Sequence, residues 1–196
     1  VSAIAQVPSE FHAALGTLRQ ARCRRELRLE EIPAPSRLAP HAVALAAEVW
    51  AQHSGAAAEQ DPLATGRFIL LHDPDGSPIW DGTFRIVTYI RAQLEADLGH
   101  DALLGSVAWT WLVEALEQHG TRYRAAGGTA TRILSESFGS LSGRPDAIDI
   151  ELRASWTPEH HDVQEHLEAW SDMVCTFAGL PPLPEGVSAL PQHRRN

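Results

Sequence analysis

The chain has 196 residues, 44% of them apolar and 21% charged, with a formal net charge of −9. That is enough for one domain that buries about 70% of its unfolded surface without a disulfide or metal staple. No apolar run reaches the roughly 20 residues of a membrane span, and the acidic balance argues against a broad nucleic-acid surface, which needs clustered positive charge. No basic segment followed by an apolar one opens the chain, so no secretory signal is expected. All 16 basic residues are arginine. A Schiff-base lysine, a P-loop lysine and a Ser-Lys dyad are therefore excluded within this chain. Cys23 and Cys175 lie far apart in no metal-like spacing. They read as reduced, mostly buried thiols of a cytoplasmic protein, the alternative being a disulfide for which nothing argues.

A first helix is expected from Ser9 to Arg24, with Ser9 as its cap and Glu10 in its first turn. Phe11, Leu15 and Leu18 repeat at helical spacing along it. The basic run Arg19, Arg22, Arg24, Arg25 and Arg28 reads as a solvated face at the helix end. Glu26 to Ile32 alternates as a short strand, ended by Pro33 and Pro35. An Ala-rich second helix is expected from His41 to Gln52, and a small-residue loop from Ser54 to Pro62. Phe68 to His72 is a short apolar strand. Asp73-Pro-Asp-Gly76 has the chemistry of a β-turn. The return strand runs from Ile79 to about Glu95, with Phe84, Ile86, Thr88, Ile90, Ala92 and Leu94 on one face. Arg85, Val87, Tyr89 and Arg91 occupy the other. Asp81-Gly82 marks a bulge or a second tight turn.

Asp101 to His119 reads as a wide-faced, well-buried helix capped by Asp101 and stopped by Gly120. Trp109 and Trp111 must point different ways, one to the core and one to a groove or interface. A Thr- and Ser-rich strand is expected over Gly127 to Leu141, and a turn at Arg144 to Asp146. Ala147 to Trp156 alternates cleanly, with Ile148, Ile150, Leu152, Ala154 and Trp156 on one side. Thr157, Pro158 and Glu159 look like the start of a last helix. Its stripe is Val163, Leu167, Trp170, Val174 and Phe177, and Gly179 ends it. These elements predict an α+β fold: a single domain over residues 1–178, with an antiparallel sheet of about five strands. The sheet is built from two hairpins plus a short strand, with about four helices mainly on one face. Residues 179–196 read as an extended, proline-rich C-terminal tail.

Chemistry-bearing groups are sparse. The densest is His160, His161, Asp162, Glu165 and His166. Two zinc-binding histidines on a helix prefer an i, i+4 spacing. Here the His–His separations are five and six, so the group reads as a solvated helix face and no metal is expected. His72, Asp73 and Asp75 place a base beside carboxylates and are the candidate catalytic residues, although a turn needs Asp, Pro and Gly for conformational reasons alone. Asp75-x-Ser77 lacks the ligand ladder of a calcium loop. No Gly-x-Ser-x-Gly elbow occurs, and Gly127-Gly128 is a turn or bulge signal, so no cofactor is expected. Trp80 and Asp81, near the hairpin turn, and Arg85 and Tyr89, on the polar side of the return strand, are the candidate binding residues.

Several segments together resemble an actinobacterial family of domains of unknown function, the one numbered three thousand. They are Leu27-Arg-Leu-Glu-Glu-Ile-Pro-Ala-Pro35, Arg37-Leu-Ala-Pro40, Ala64-Thr-Gly-Arg-Phe68, Leu71-His-Asp-Pro74 and Trp80-Asp-Gly-Thr-Phe-Arg85. Ser135-Glu-Ser-Phe-Gly139, Arg153-Ala-Ser-Trp-Thr-Pro158 and Ala178-Gly-Leu-Pro-Pro182 complete the set. The resemblance covers roughly residues 10 to 187. It implies a cytoplasmic actinobacterial protein and carries over no catalytic residue.

The absence of a catalytic, cofactor or metal pattern favours a non-catalytic protein-interaction or regulatory module, with a protein partner or self-association. The order of helices and hairpins is similar to secretion-chaperone-like α+β folds, an analogy of fold only. The alternatives are an acid-base or metal-assisted hydrolase using His72, Asp73, Asp75 and Asp81, and an RNA-binding accessory protein using the Arg19 to Arg28 run.

Overall fold

The structure, a computed structural model, describes residues 7–50, 61–94 and 103–180. Six antiparallel strands form one sheet in the order β1-β2-β3-β4-β6-β5. They are β1 (Leu27–Ile32), β2 (His41–Val49), β3 (Ala64–Ser77), β4 (Gly82–Leu94), β5 (Tyr123–Ser135) and β6 (Ala147–Pro158). Among the described residues three α-helices, α1 (Ser9–Leu18), α2 (Leu104–Gln118) and α3 (Gln164–Phe177), join the sheet in an α+β domain. The sheet thus has one strand more than the sequence suggests.

The added strand is His41–Val49. The alanines there suggest a helix, yet the segment is β2, hydrogen-bonded to β1 on one side and β3 on the other. Helix propensity separates these residues by less than about 1 kcal/mol each. A ladder on both edges outweighs it, with Ala44, Ala47 and Val49 buried along the strand. Val43, Leu45, Ala47 and Val49 share the face of Leu70, Phe68, Gly66 and Ala64, their partners on β3.

The core lies between that face and the helices. Phe68 and Leu70 on β3, Ile86 and Ile90 on β4, and Ile150, Leu152 and Trp156 on β6 are all nearly or fully buried. The register aligns them: Ile90 faces Leu152 and Ile86 faces Trp156. From the other layer come Val163, Leu167, Trp170 and Val174, the last-helix stripe, all buried. α3 lies over β2, β3 and β4, α2 over β5, and the two helices pack against each other. Trp170 sits so close to β3 that a Cβ at position 66 would lie 2.6 Å from its ring, so Gly66 is required there.

Several boundaries differ from the sequence reading. α1 ends at Leu18 instead of Arg24, and Ser9 is its first residue, not its side-chain cap. Arg24 is not on a solvated face: its side chain is buried and pairs with Glu26 at 2.9 Å. α2 buries a narrower stripe than expected, Ala108, Leu112 and Leu116, and leaves Trp111 exposed. Gly120, at φ +67°, closes it. β5 starts at Tyr123, four residues before its Gly-Gly pair, and stops at Ser135. β6 runs on through Thr157 and Pro158, so those residues do not open α3, which begins at Gln164. Thr157 uses its hydroxyl sideways, donating to the Trp80 carbonyl and accepting from Arg85. The expected Asp101 cap, most of the Ser54 to Pro62 loop and the tail beyond Leu180 lie outside the described residues. Among the described residues no helix is long and apolar enough to cross a membrane.

Candidate functional site

β3 and β4 pair as an antiparallel hairpin, but its tip is not where Asp73-Pro-Asp-Gly76 suggests. The chain reverses over Ser77 to Gly82, where the Trp80 and Asp81 amides both donate to the Ser77 carbonyl at 3.0 Å. Asp81 adopts φ +55° in this turn. Asp73 to Gly76 instead forms an irregular stretch of β3, with the Asp75 amide donating to Asp73 Oδ1 at 3.1 Å. An Asp-Pro-Asp-Gly sequence supplies local bends, and here they are spent on a bulge.

Alternation along β3 separates the candidate catalytic residues. His72 faces the helix layer, 1% exposed, stacked 4.2 Å from the Phe84 ring and 5.8 Å from Phe11, with His41 6.1 Å away. Its Nδ1 meets the Thr83 carbonyl at 3.1 Å, and its Nε2 has no hydrogen-bond partner among the described residues. Burial pushes its pKa below the ordinary histidine value. Asp73 and Asp75 stand outside this stack, at the end of the hairpin.

The candidate binding residues lie around the hairpin end and along the face of the sheet opposite the described helices. Trp80 is half-buried beside Ile79, which is 88% exposed. The Asp81 carboxylate meets Arg124 Nε at 3.0 Å, and the same Nε donates to the Asp81 carbonyl. Arg85 donates to the Ala125 carbonyl at 2.8 Å, to Thr157 Oγ1 at 3.0 Å and to Ser155 Oγ at 2.7 Å. All three acceptors are neutral, and burial lowers the pKa of this guanidinium. Ala125 has φ +51° and belongs to a bulge in β5. Arg85 therefore ties β4 to that bulge. Tyr89 donates to Glu151 Oε1 at 2.8 Å, and the Arg153 guanidinium lies 5.7 Å from its ring centroid. Burial first, then the Glu151 contact, raises the tyrosine pKa. Arg91 pairs with Asp149 at 2.7 Å.

Between these side chains runs a groove of about 410 Å³. Ile69 and Val87 form its floor, and Arg67, Tyr89 and Arg153 its walls. Among the described residues two further cavities lie on the helix side. One, of about 340 Å³, is lined by Phe11, Leu15, Cys23, Val43 and Leu45 between α1 and the β1–β2 edge. The other, of about 240 Å³, holds Leu104, Val107, Trp111 and Phe177, with the Trp111 and Phe177 rings edge to face at 6.1 Å. Sequence reasoning missed Arg67 and Arg153. Their positions on strands, facing the same way as Tyr89, were the available signal.

The histidine group after β6 is split. His160 and His161 are exposed, whereas His166 is buried and accepts a hydrogen bond from the Trp156 indole at 3.1 Å. It is therefore not part of a solvated face. Among the described residues no group of three or more His, Cys, Asp or Glu side chains is placed to hold a metal ion. Cys23 and Cys175 are free thiols, and burial pushes the Cys175 pKa up to about 12.

No curated protein and no solved structure gives a significant match to this chain. Residues 7–188 match the family described as protein of unknown function (DUF3000), and the chain belongs to that family.

Proposed function

We propose that this protein is a non-catalytic protein-interaction module that holds an acidic, extended segment of a partner on the face of its sheet opposite the described helices. The observation that carries the reading is the groove walled by Arg67, Tyr89 and Arg153 over an Ile69 and Val87 floor. Along Thr65 to Leu71, Arg85 to Gln93 and Asp149 to Ser155, that face presents Arg67, Arg85, Arg91 and Arg153 against Asp149 and Glu151. A locally basic strip on a chain of net charge −9 favours carboxylates over other ligands. Its apolar floor suits alternate side chains of an extended peptide. Trp80 and Asp81, at the hairpin end of β4, are proposed as the outer limit of the same surface.

The hydrolytic alternative requires His72 to work with Asp73, Asp75 or Asp81, and the stack with Phe11 and Phe84 turns His72 toward the helix layer. The RNA alternative relies on the Arg19 to Arg28 run, in which Arg24 is occupied by Glu26.

Fluorescence anisotropy with labelled peptides of alternating Glu and Val, or of alternating Lys and Val, tests the proposal. The Glu-Val peptide is expected to bind, more weakly as salt rises. The double variant Arg67→Glu, Arg153→Glu is expected to lose about tenfold or more of that affinity, about 1.4 kcal/mol. Equal binding of the two peptides, or an unchanged affinity in the double variant, rejects the reading.

A further inference from the structure

The two edges of the sheet are guarded very differently. β1 is six residues long, carries Arg28, Glu30 and Glu31, and is followed by Pro33 and Pro35. Short length, charge and proline are the usual devices that stop an edge from pairing with another chain. β5, at the opposite edge, spans thirteen residues and, among the described residues, pairs only with β6. It contains no proline and no carboxylate, and its side chains are exposed or half-buried throughout. Arg124 and a bulge guard its start, and the regular part beyond, where Arg132 is the one charged residue, is a template for a further strand.

The strand's own residues indicate which strand fits. A bulge lies between Arg124 and Gly127, where the register against β6 shifts, and the regular part is Gly127 to Ser135. A second copy can pair with that stretch antiparallel about a two-fold axis. Thr131 is its central residue, so an axis there uses all nine positions. Gly128 then faces Leu134 of the second copy, Ala130 faces Arg132, and Thr129 faces Ile133. Thr131 meets Thr131, a favourable cross-strand pair, two β-branched residues meet each other, and no like charges stand opposite one another. An axis moved to Arg132 would oppose two guanidinium groups directly. An axis moved to Ala130 would run the pairing into the bulge. On the helix side, Trp109 already covers Gly128, where a Cβ would lie 2.9 Å from its ring.

We propose that the protein is a two-fold dimer in which the β5 strands of two copies pair antiparallel about Thr131, joining the two sheets into one. The contact is isologous, as a closed two-fold interface requires. It extends beyond the peptide-binding reading and does not depend on the groove.

Sedimentation velocity over a concentration series, with a cysteine scan, tests it. Wild type is expected to be dimeric, as is Thr131→Val, which keeps the branched shape without adding charge. Thr131→Arg is expected to weaken dimerisation by at least about tenfold while its far-UV circular dichroism stays that of wild type. Under oxidation Thr131→Cys should give a covalent dimer. Wild type, which retains Cys23 and Cys175, should not, nor should Thr129→Cys or Ile133→Cys alone. An equal mixture of Thr129→Cys and Ile133→Cys should cross-link. A monomer at every concentration overturns the proposal. So does a wild-type dimer that Thr131→Arg leaves intact, or cross-linking that is as efficient at Thr129 alone as at Thr131.

Discussion

Trp170→Ala is expected to lower the unfolding free energy by about 3–5 kcal/mol, measured by urea denaturation. Trp170 is completely buried and has a shaped seat. Its six-membered ring rests on the bare backbone of Gly66, and its centroid lies 5.6 Å from that of Phe68. The surrounding strand is held by ladders on both edges, so it cannot collapse into the vacated volume, and the cavity persists. One group works the other way. The indole Nε1 is buried without a hydrogen-bond partner among the described residues. Trp170→Phe removes that unsatisfied donor and part of the ring together, so its cost is expected to be smaller than that of alanine. Gly66→Ala should be destabilising too, because the new Cβ would overlap the ring. In the Trp170→Ala background the same Gly66→Ala change should cost little. Additive costs in that double-mutant cycle would mean that the glycine and the indole do not touch. Leu152→Ala, one layer away on β6 and 2% exposed, is expected to cost about 2–5 kcal/mol by the same cavity argument.

The parts of this core that are legible in the sequence are those with one dominant period. Ile148 to Trp156 alternates in twos, Val163 to Phe177 repeats in threes and fours, and both stripes are buried as that pattern predicts. The pairing of β3 with β4 was legible because two apolar runs flank a turn-rich stretch. Its tip was not, since Asp73 to Gly76 and Ser77 to Gly82 both carry turn chemistry, and only the register against Phe84 chooses between them. β2 was misread because alanine satisfies both periods, so the decision rests with β1 and β3, which the segment itself does not encode. Thr157 and Pro158 have the local chemistry of a helix start, but Arg85 and Trp80, more than seventy residues away, engage that threonine in the sheet.

The candidate site was legible to a similar degree. Arg85 and Tyr89 fall on the polar side of β4 by simple alternation. What each does there depends on Ala125, Ser155 and Glu151, contributed by β5 and β6. Likewise nothing adjacent to His72 announces its environment. Phe11 comes from α1, His41 from β2 and Phe84 from β4, and together they turn a histidine beside two aspartates into a buried ring.

His166 provides the largest expected pH effect. It is 3% exposed and its Nδ1 accepts the Trp156 indole N–H, so the neutral ring must carry its proton on Nε2. Protonating Nδ1 would break that bond and place a charge in the core. Burial therefore holds the pKa down, from the ordinary 6.5 to about 4, with Asp162 opposing part of the shift. Between those two values the unfolded chain binds a proton that the folded chain refuses. Folding stability must then fall as pH drops through this window, by roughly 3 kcal/mol in all. His72, also shifted down by burial, acts in the same direction. His119 has the opposite sign. Its hydrogen bond to Asp172 raises its pKa, so its contribution is present below pH 6.5 and is lost as pH rises through its folded value. The test is urea denaturation of wild type and His166→Gln from neutral pH down to about pH 4. Glutamine offers the indole a carbonyl acceptor but does not titrate. Wild type should lose stability steeply over that range, and His166→Gln should follow a flatter curve. Parallel curves would mean that the acid sensitivity arises elsewhere and that His166 takes up its proton without resistance from the core.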